Sequence, residues 1–200
     1  MANHIHNRLT VTLDALGHES SIDSFARHAA KVDPEYHKSV FTEAPELPLQ
    51  LSFWNFKRPD AAAMETYHNS SVGARDGWYD WNNRNWGTKW DAWDVSGIKG
   101  GVGRKLRLVY DFTTANATPV PALEAMMELF PYLNFELRWQ DEGGPGGTIT
   151  AVNGVWSETD RFNGATSHTE ATESRRLVTC DCLLTGGAHT PFPDCPAALE

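Results

Sequence analysis

The chain has 200 residues, 40% hydrophobic and 22% charged, with a formal net charge of −9. This length suits one domain with elaborations, and the composition is that of a folded chain, not a disordered one. The acidic balance argues against a general phosphate-backbone binder, which needs a basic footprint, and permits a surface that engages a basic partner.

The opening residues Met-Ala-Asn-His-Ile-His-Asn-Arg contain no apolar segment of secretory type, and no run reaches membrane-spanning length. Cysteines occur only at 180, 182 and 195, so the main body does not rest on disulfides. The expectation is a cytoplasmic protein without membrane contact.

Residues 4–13 alternate, with Ile5, Leu9, Val11 and Leu13 (and Asn7) on one side and His4, His6, Arg8, Thr10 and Thr12 on the other. This pattern predicts a half-buried strand. Ile22, Phe25, Ala26 and Ala29 then fall at i, i+3, i+4 and i+7 and predict a helix over 21–31, capped by Ser20 or Ser21. A Pro-marked insert covers 32–76; within it 49–56 alternates like a short strand, and Pro59 precedes a short helix over 60–68.

From Gly77 to Val95 the chain carries five of its eight tryptophans, at 78, 81, 86, 90 and 93. The later half, 86–95, reads as a strand. Gly97, Gly100, Gly101 and Gly103 read as a flexible hairpin turn into a second alternating strand over 104–112. Leu123, Met126, Met127 and Phe130 mark a helix over 119–130, and Leu133, Phe135, Leu137 and Trp139 a strand over 133–139.

The order β-α-(insert)-β-β-α-β is that of an α+β, ferredoxin-like split βαβ domain, an antiparallel sheet with two main helices on one face. After a Gly-rich link (143–147), residues 148–156 alternate as one added edge strand. The expected domain therefore covers 1–157, and 158–200 forms a polar, weakly ordered extension.

The combination Trp78-Tyr-Asp-Trp81, Asn85-Trp-Gly-Thr-Lys-Trp-Asp91, Tyr110-Asp-Phe-Thr-Thr and Phe130-Pro-Tyr-Leu-Asn-Phe135 resembles the YubB-like ferredoxin-like family of plasmids and bacteriophages. The likeness spans roughly residues 5–154; the segment Ala115-Asn-Ala-Thr-Pro-Val-Pro departs from the family's usual Trp and paired prolines. The resemblance implies a mobile-element origin in a bacterial host and a ferredoxin-like core. It implies no activity and carries no catalytic residue over.

Candidate binding residues are Trp86, Lys89, Trp90, Asp91, Trp93 and Arg107. Indole faces with a nearby cation stack on bases or peptide aromatics. The plainer reading has Trp86, Thr88 and Trp90 alternating into the core, with Lys89 and Asp91 paired on the solvent side and Gly87 allowing a close approach. His4 and His6 share a strand face with Arg8 and would need Asp91 or Glu136 to complete a metal site; a solvated face is the simpler expectation. Cys180, Cys182, His189 and Cys195 form a possible zinc set of atypical spacing, outweighed by free thiols or a late disulfide. No cofactor, catalytic residue or metal is assigned. No Gly-x-Ser-x-Gly element is present.

Three functions follow. The leading one is a non-enzymatic protein-binding factor from a phage or plasmid, concretely a counter-defence inhibitor of a host nuclease or nucleic-acid-binding complex. A single-stranded nucleic-acid module is the first alternative, with Arg8, Lys105, Arg107 and Arg138 as local charge. An enzyme acting on a nucleotide or small molecule, with a pocket under the insert, is the second.

Overall fold

The computed structural model describes residues 3–13, 19–30, 51–69, 77–102, 105–152 and 154–162. Most of the insert's first half, residues 103–104 and the tail with Cys180, Cys182, His189 and Cys195 lie outside the described residues.

Strand β1 (His4–Thr12) has the alternating burial its sequence dictates. Helix α1 (Glu19–Ala29) follows, then a 3-10 turn (Phe53–Asn55), helix α2 (Ala61–Asn69) and helix α3 (Trp78–Asn85). Strands β2 (Trp93–Val102) and β3 (Lys105–Ala115), helix α4 (Val120–Leu129), and strands β4 (Asn134–Asp141), β5 (Gly146–Val152) and β6 (Val155–Phe162) complete the chain. The six strands form one sheet in the order β2-β3-β1-β4-β5-β6, with every neighbouring pair antiparallel. The first four reproduce the split βαβ arrangement, so the fold is α+β and ferredoxin-like.

Cross-strand partners share a face, and the buried face carries Leu9, Val11, Leu108, Tyr110, Phe112, Phe135, Leu137, Ile149 and Ala151. Phe25 of α1 meets Tyr110 and Phe135, Phe53 meets Phe112, and Leu123 and Met126 of α4 join the same core. The second face carries His4, His6, Arg8, Thr10 and Thr12, and no described helix crosses it.

Four expectations need correction. Residues 49–56 do not form a strand: their described part contains the 3-10 turn, because Leu51, Phe53, Trp54 and Phe56 all turn into the core. Residues 86–92 are not a strand either, since Trp86 closes α3 and β2 begins only at Trp93. Gly97, Gly100 and Gly101 lie inside β2, not in a turn. The single added strand over 148–156 is a hairpin, β5 and β6, reversed at Gly154 with φ +76°. β6 runs to Phe162, so the sheet continues past residue 157.

Helix α3 forms in the first half of the aromatic stretch, to which the sequence reading gave no element, and its ends suit a helix: Asp80 lies in the first turn and Arg84 in the last, each complementary to the helix dipole. Its aromatic side meets the insert. Trp86 is fully buried, edge-to-face with Phe53, Trp54 and Trp81 at centroid distances of 6.2, 6.3 and 5.5 Å. Its indole N–H donates to the Lys57 carbonyl at 2.8 Å, so the one polar atom of the ring is satisfied. Gly87 follows with φ +80°, and a Cβ there would stand 2.6 Å from Pro121 Cδ at the start of α4. At the other end of the sheet's width, Gly147 lies beneath the Trp139 indole, whose Nε1 would be 3.1 Å from an added Cβ.

Trp86→Ala removes the ring on which the insert packs and should destabilise the fold by about 3–5 kcal/mol. Urea unfolding of the two proteins checks this, and a loss below about 1 kcal/mol would show that Trp86 does not hold the layer together.

Candidate binding face

The candidate residues of the aromatic stretch separate into four places. Trp86 lies in the core. Asp91 is also inside, against the expectation that it pairs with Lys89 in solvent. Its carboxylate accepts from Ser52 Oγ at 2.6 Å, from the backbone N–H groups of Phe53 and Ala92 at 2.6 and 2.7 Å, and from Trp54 N at 3.5 Å. Asp91 thereby pins the beginning of the 3-10 turn to the lead-in of β2.

Burial raises the Asp91 carboxyl above its ordinary value of 3.8, and the bonds from Ser52, Phe53, Ala92 and Trp54 oppose that shift in part. Burial acts likewise on two tyrosines. Tyr67, whose hydroxyl donates to Asn82 Oδ1 at 3.1 Å, is raised well above its usual range, and Tyr110 is pushed up to about 12.

Lys89 and Trp90 are brought together at the surface. The Lys89 ammonium stands 4.5 Å from the Trp90 ring centroid and 5.9 Å from that of Tyr79, a ring–cation arrangement. Asn82 holds this loop from below, its Nδ2 donating to the Lys89 carbonyl at 2.9 Å. Trp90 is 39% exposed, whereas Thr88 is buried, so the expected alternation of 86, 88 and 90 into the core fails at its third member.

Trp93 belongs elsewhere. It pairs with Thr113, which pairs with His6, and this places its indole on the sheet's second face. There it is 42% exposed and meets the His4 ring at 5.3 Å, edge to face. A bulge between Trp93 and Ser96, with Asp94 at φ +51°, sets its direction. Arg107 pairs with Thr12 and Gly100 on the same face, six residues along β3 from Thr113 and so roughly 20 Å from Trp93.

The centre of this face is ionic and internally matched. Arg8 binds Asp111 in bidentate fashion, Nε to Oδ1 at 2.7 Å and Nη2 to Oδ2 at 2.8 Å. Arg8 faces Arg138 directly across the β1–β4 pairing, and Arg138 in turn pairs with Glu136 at 2.9 Å. Each guanidinium therefore has its own carboxylate, which offsets the repulsion between them.

The imagined metal set of His4, His6, Asp91 and Glu136 is not brought together. Asp91 lies on the buried side and Glu136 is engaged by Arg138. Among the described residues no three His, Cys, Asp or Glu side chains are placed to hold a metal. What sequence reasoning missed is Glu142. Its carboxylate lies 3.6 Å from His4 Nδ1, and its backbone N–H donates to the His4 carbonyl at 3.0 Å. The adjacency of Asp141 and Glu142 held no signal for this, because the contact depends on β1 and β4 being neighbours.

No protein-family model matches the chain, and no curated protein matches it. Among solved structures, the crystal structure of the protein api92 from Yersinia pseudotuberculosis, a DUF1281 protein, aligns with a TM-score of 0.51 at 10% identity. The alignment covers 82% of this chain and 99% of that one. The likeness is one of fold. No helix among the described residues is long and apolar enough to cross a membrane.

The raised Asp91 carboxyl makes a signed prediction. The native state keeps this proton at pH values where the unfolded chain has lost it. Stability from this group is therefore full below about pH 3.8 and declines as pH rises through the native value. Relative to Asp91→Asn, the wild type should lose stability as pH rises above about 4, at no more than about 1.4 kcal/mol per pH unit. Urea midpoints across that range test it; a wild-type advantage that stays flat or grows with pH contradicts it.

Proposed function

We propose that this chain is a non-enzymatic protein-binding factor that docks by the sheet face that no described helix crosses. The observation that carries the reading is the pairing of charges on that face. Arg8 and Arg138, counted as local charge for a nucleic-acid ligand, are each matched by a carboxylate, Asp111 and Glu136. A phosphate backbone would have to displace those carboxylates, whereas a protein surface with its own polar pattern does not. The exposed Trp93 on the same face, and Trp90 with Lys89 at its border, supply the large aromatic contacts typical of protein interfaces.

Beyond this, we propose that the chain belongs with the YubB-like ferredoxin-like proteins of phages and plasmids. On that reading it acts in the cytoplasm of a bacterial host, where it blocks a defence nuclease or a nucleic-acid-binding complex. The ferredoxin-like fold shared with a DUF1281 protein is consistent with such a grouping.

The test is affinity capture from host lysate with the wild type, Trp93→Ala and Lys89→Ala/Trp90→Ala, alongside a salt-series gel shift on single strands. A partner retained by the wild type and weakened about tenfold or more by Trp93→Ala is expected. Absence of any wild-type partner, together with salt-sensitive binding to single strands, would replace this reading with the nucleic-acid one.

A further inference from the structure

One corner of the open face has a defined chemistry. Trp93 presents an indole that is 42% exposed, although it is among the largest apolar side chains and its neighbours Asp91 and Ala92 are buried. It is aimed there by the bulge at the start of β2, where Asp94 takes the left-handed conformation at φ +51°. Bulges next to functional sites commonly re-aim one side chain in this way. Glu142 reaches the same corner from the end of β4. One imidazole, His4, touches both: its ring lies 5.3 Å from that of Trp93, and its Nδ1 lies 3.6 Å from Glu142 Oε2.

We propose that this corner receives an arginine or lysine side chain of a protein partner. The inference rests on the protein-binding reading above and names the chemistry of the partner. An exposed indole face attracts a cation through its quadrupole, and the Glu142 carboxylate supplies a countercharge beside it. His4 already lies between the two groups, so the partner's cation approaches them from the solvent side, where Trp93 is 42% and the Glu142 side chain 48% exposed.

The other groups nearby do not fill this role. Asp141 accepts from the Gly143 backbone N–H at 2.6 Å and closes its own turn. Lys89 lies over the Trp90 ring at 4.5 Å, so this surface already uses one ring–cation pair, beside a different tryptophan. The net charge of −9 favours a basic partner over an acidic one.

The experiment titrates the full-length, isotope-labelled protein with a blocked Arg-Gly-Ser peptide, its glutamate-for-arginine counterpart and a short oligothymidylate. NMR follows the Trp93 indole N–H and the His4 and Glu142 amides. The arginine peptide should move these three resonances. Trp93→Ala and Glu142→Gln should each weaken its binding by roughly tenfold, while Leu129→Ala, at an exposed position on α4, leaves it unchanged. Amide dispersion of each variant confirms that it is folded, and Glu142→Gln keeps the side chain's shape while removing its charge. Three results overturn the inference: equal binding by both variants, movement of the same resonances by the acidic peptide or the oligonucleotide, or no movement with the arginine peptide. A corner that ignores the peptide while a lysate partner is still captured overturns this inference alone. Failure of the wild type to capture any partner, together with salt-sensitive binding to single strands, overturns the protein-binding reading with it.

Discussion

A single buried carboxylate sets the geometry of this protein's upper half. Asp91 gathers the Ser52 hydroxyl and the backbone N–H groups of Phe53, Trp54 and Ala92, four donors from two segments about forty residues apart in sequence. A lone carboxylate without those donors would be strongly disfavoured in such a place, so the bonds and the burial require each other. Two consequences follow. The 3-10 turn is held with Phe53 against Phe112 and Trp86, and the chain leaving Asp91 enters β2 in the direction that delivers Trp93 to the opposite side of the sheet.

The tryptophans of the Gly77–Val95 stretch are thereby divided between two jobs. Trp81 and Trp86 meet each other, Trp54 and Tyr67 in edge-to-face contacts and form the seam between insert and sheet. Trp90 and Trp93 remain exposed, one beneath an ammonium and the other against an imidazole. The first pair gains from removal of apolar area from water; the second keeps its area available for a partner. Reading the whole stretch as one unit, core or interface, would miss this division.

The elements read correctly from sequence are those whose pattern matches one face of one element. β1, β3 and β4 alternate because one sheet face is buried and the other is not, and α1 and α4 carry stripes of helical spacing. The errors arise where a tertiary contact, not local period, decides burial. Trp86 and Thr88 are both buried and two residues apart, which imitates a strand. Yet they sit in a loop, held by the Lys57 carbonyl and by the close approach of Gly87 to Pro121. The split of β5 from β6 was legible in Asn153-Gly154, a two-residue turn signal that continuous alternation over 148–156 obscured.

By itself the sequence determined the class of fold, the order of the ferredoxin-like core and the acidic character of its surface, because hydrophobic period and charge are local, additive properties. Only the tertiary structure decided which indoles are exposed, that Asp91 is an internal tie and not a surface group, and that His4, Trp93 and Glu142 meet. Those facts depend on which strands are neighbours and on one extra residue in β2, and neither is written in any local stretch of the chain.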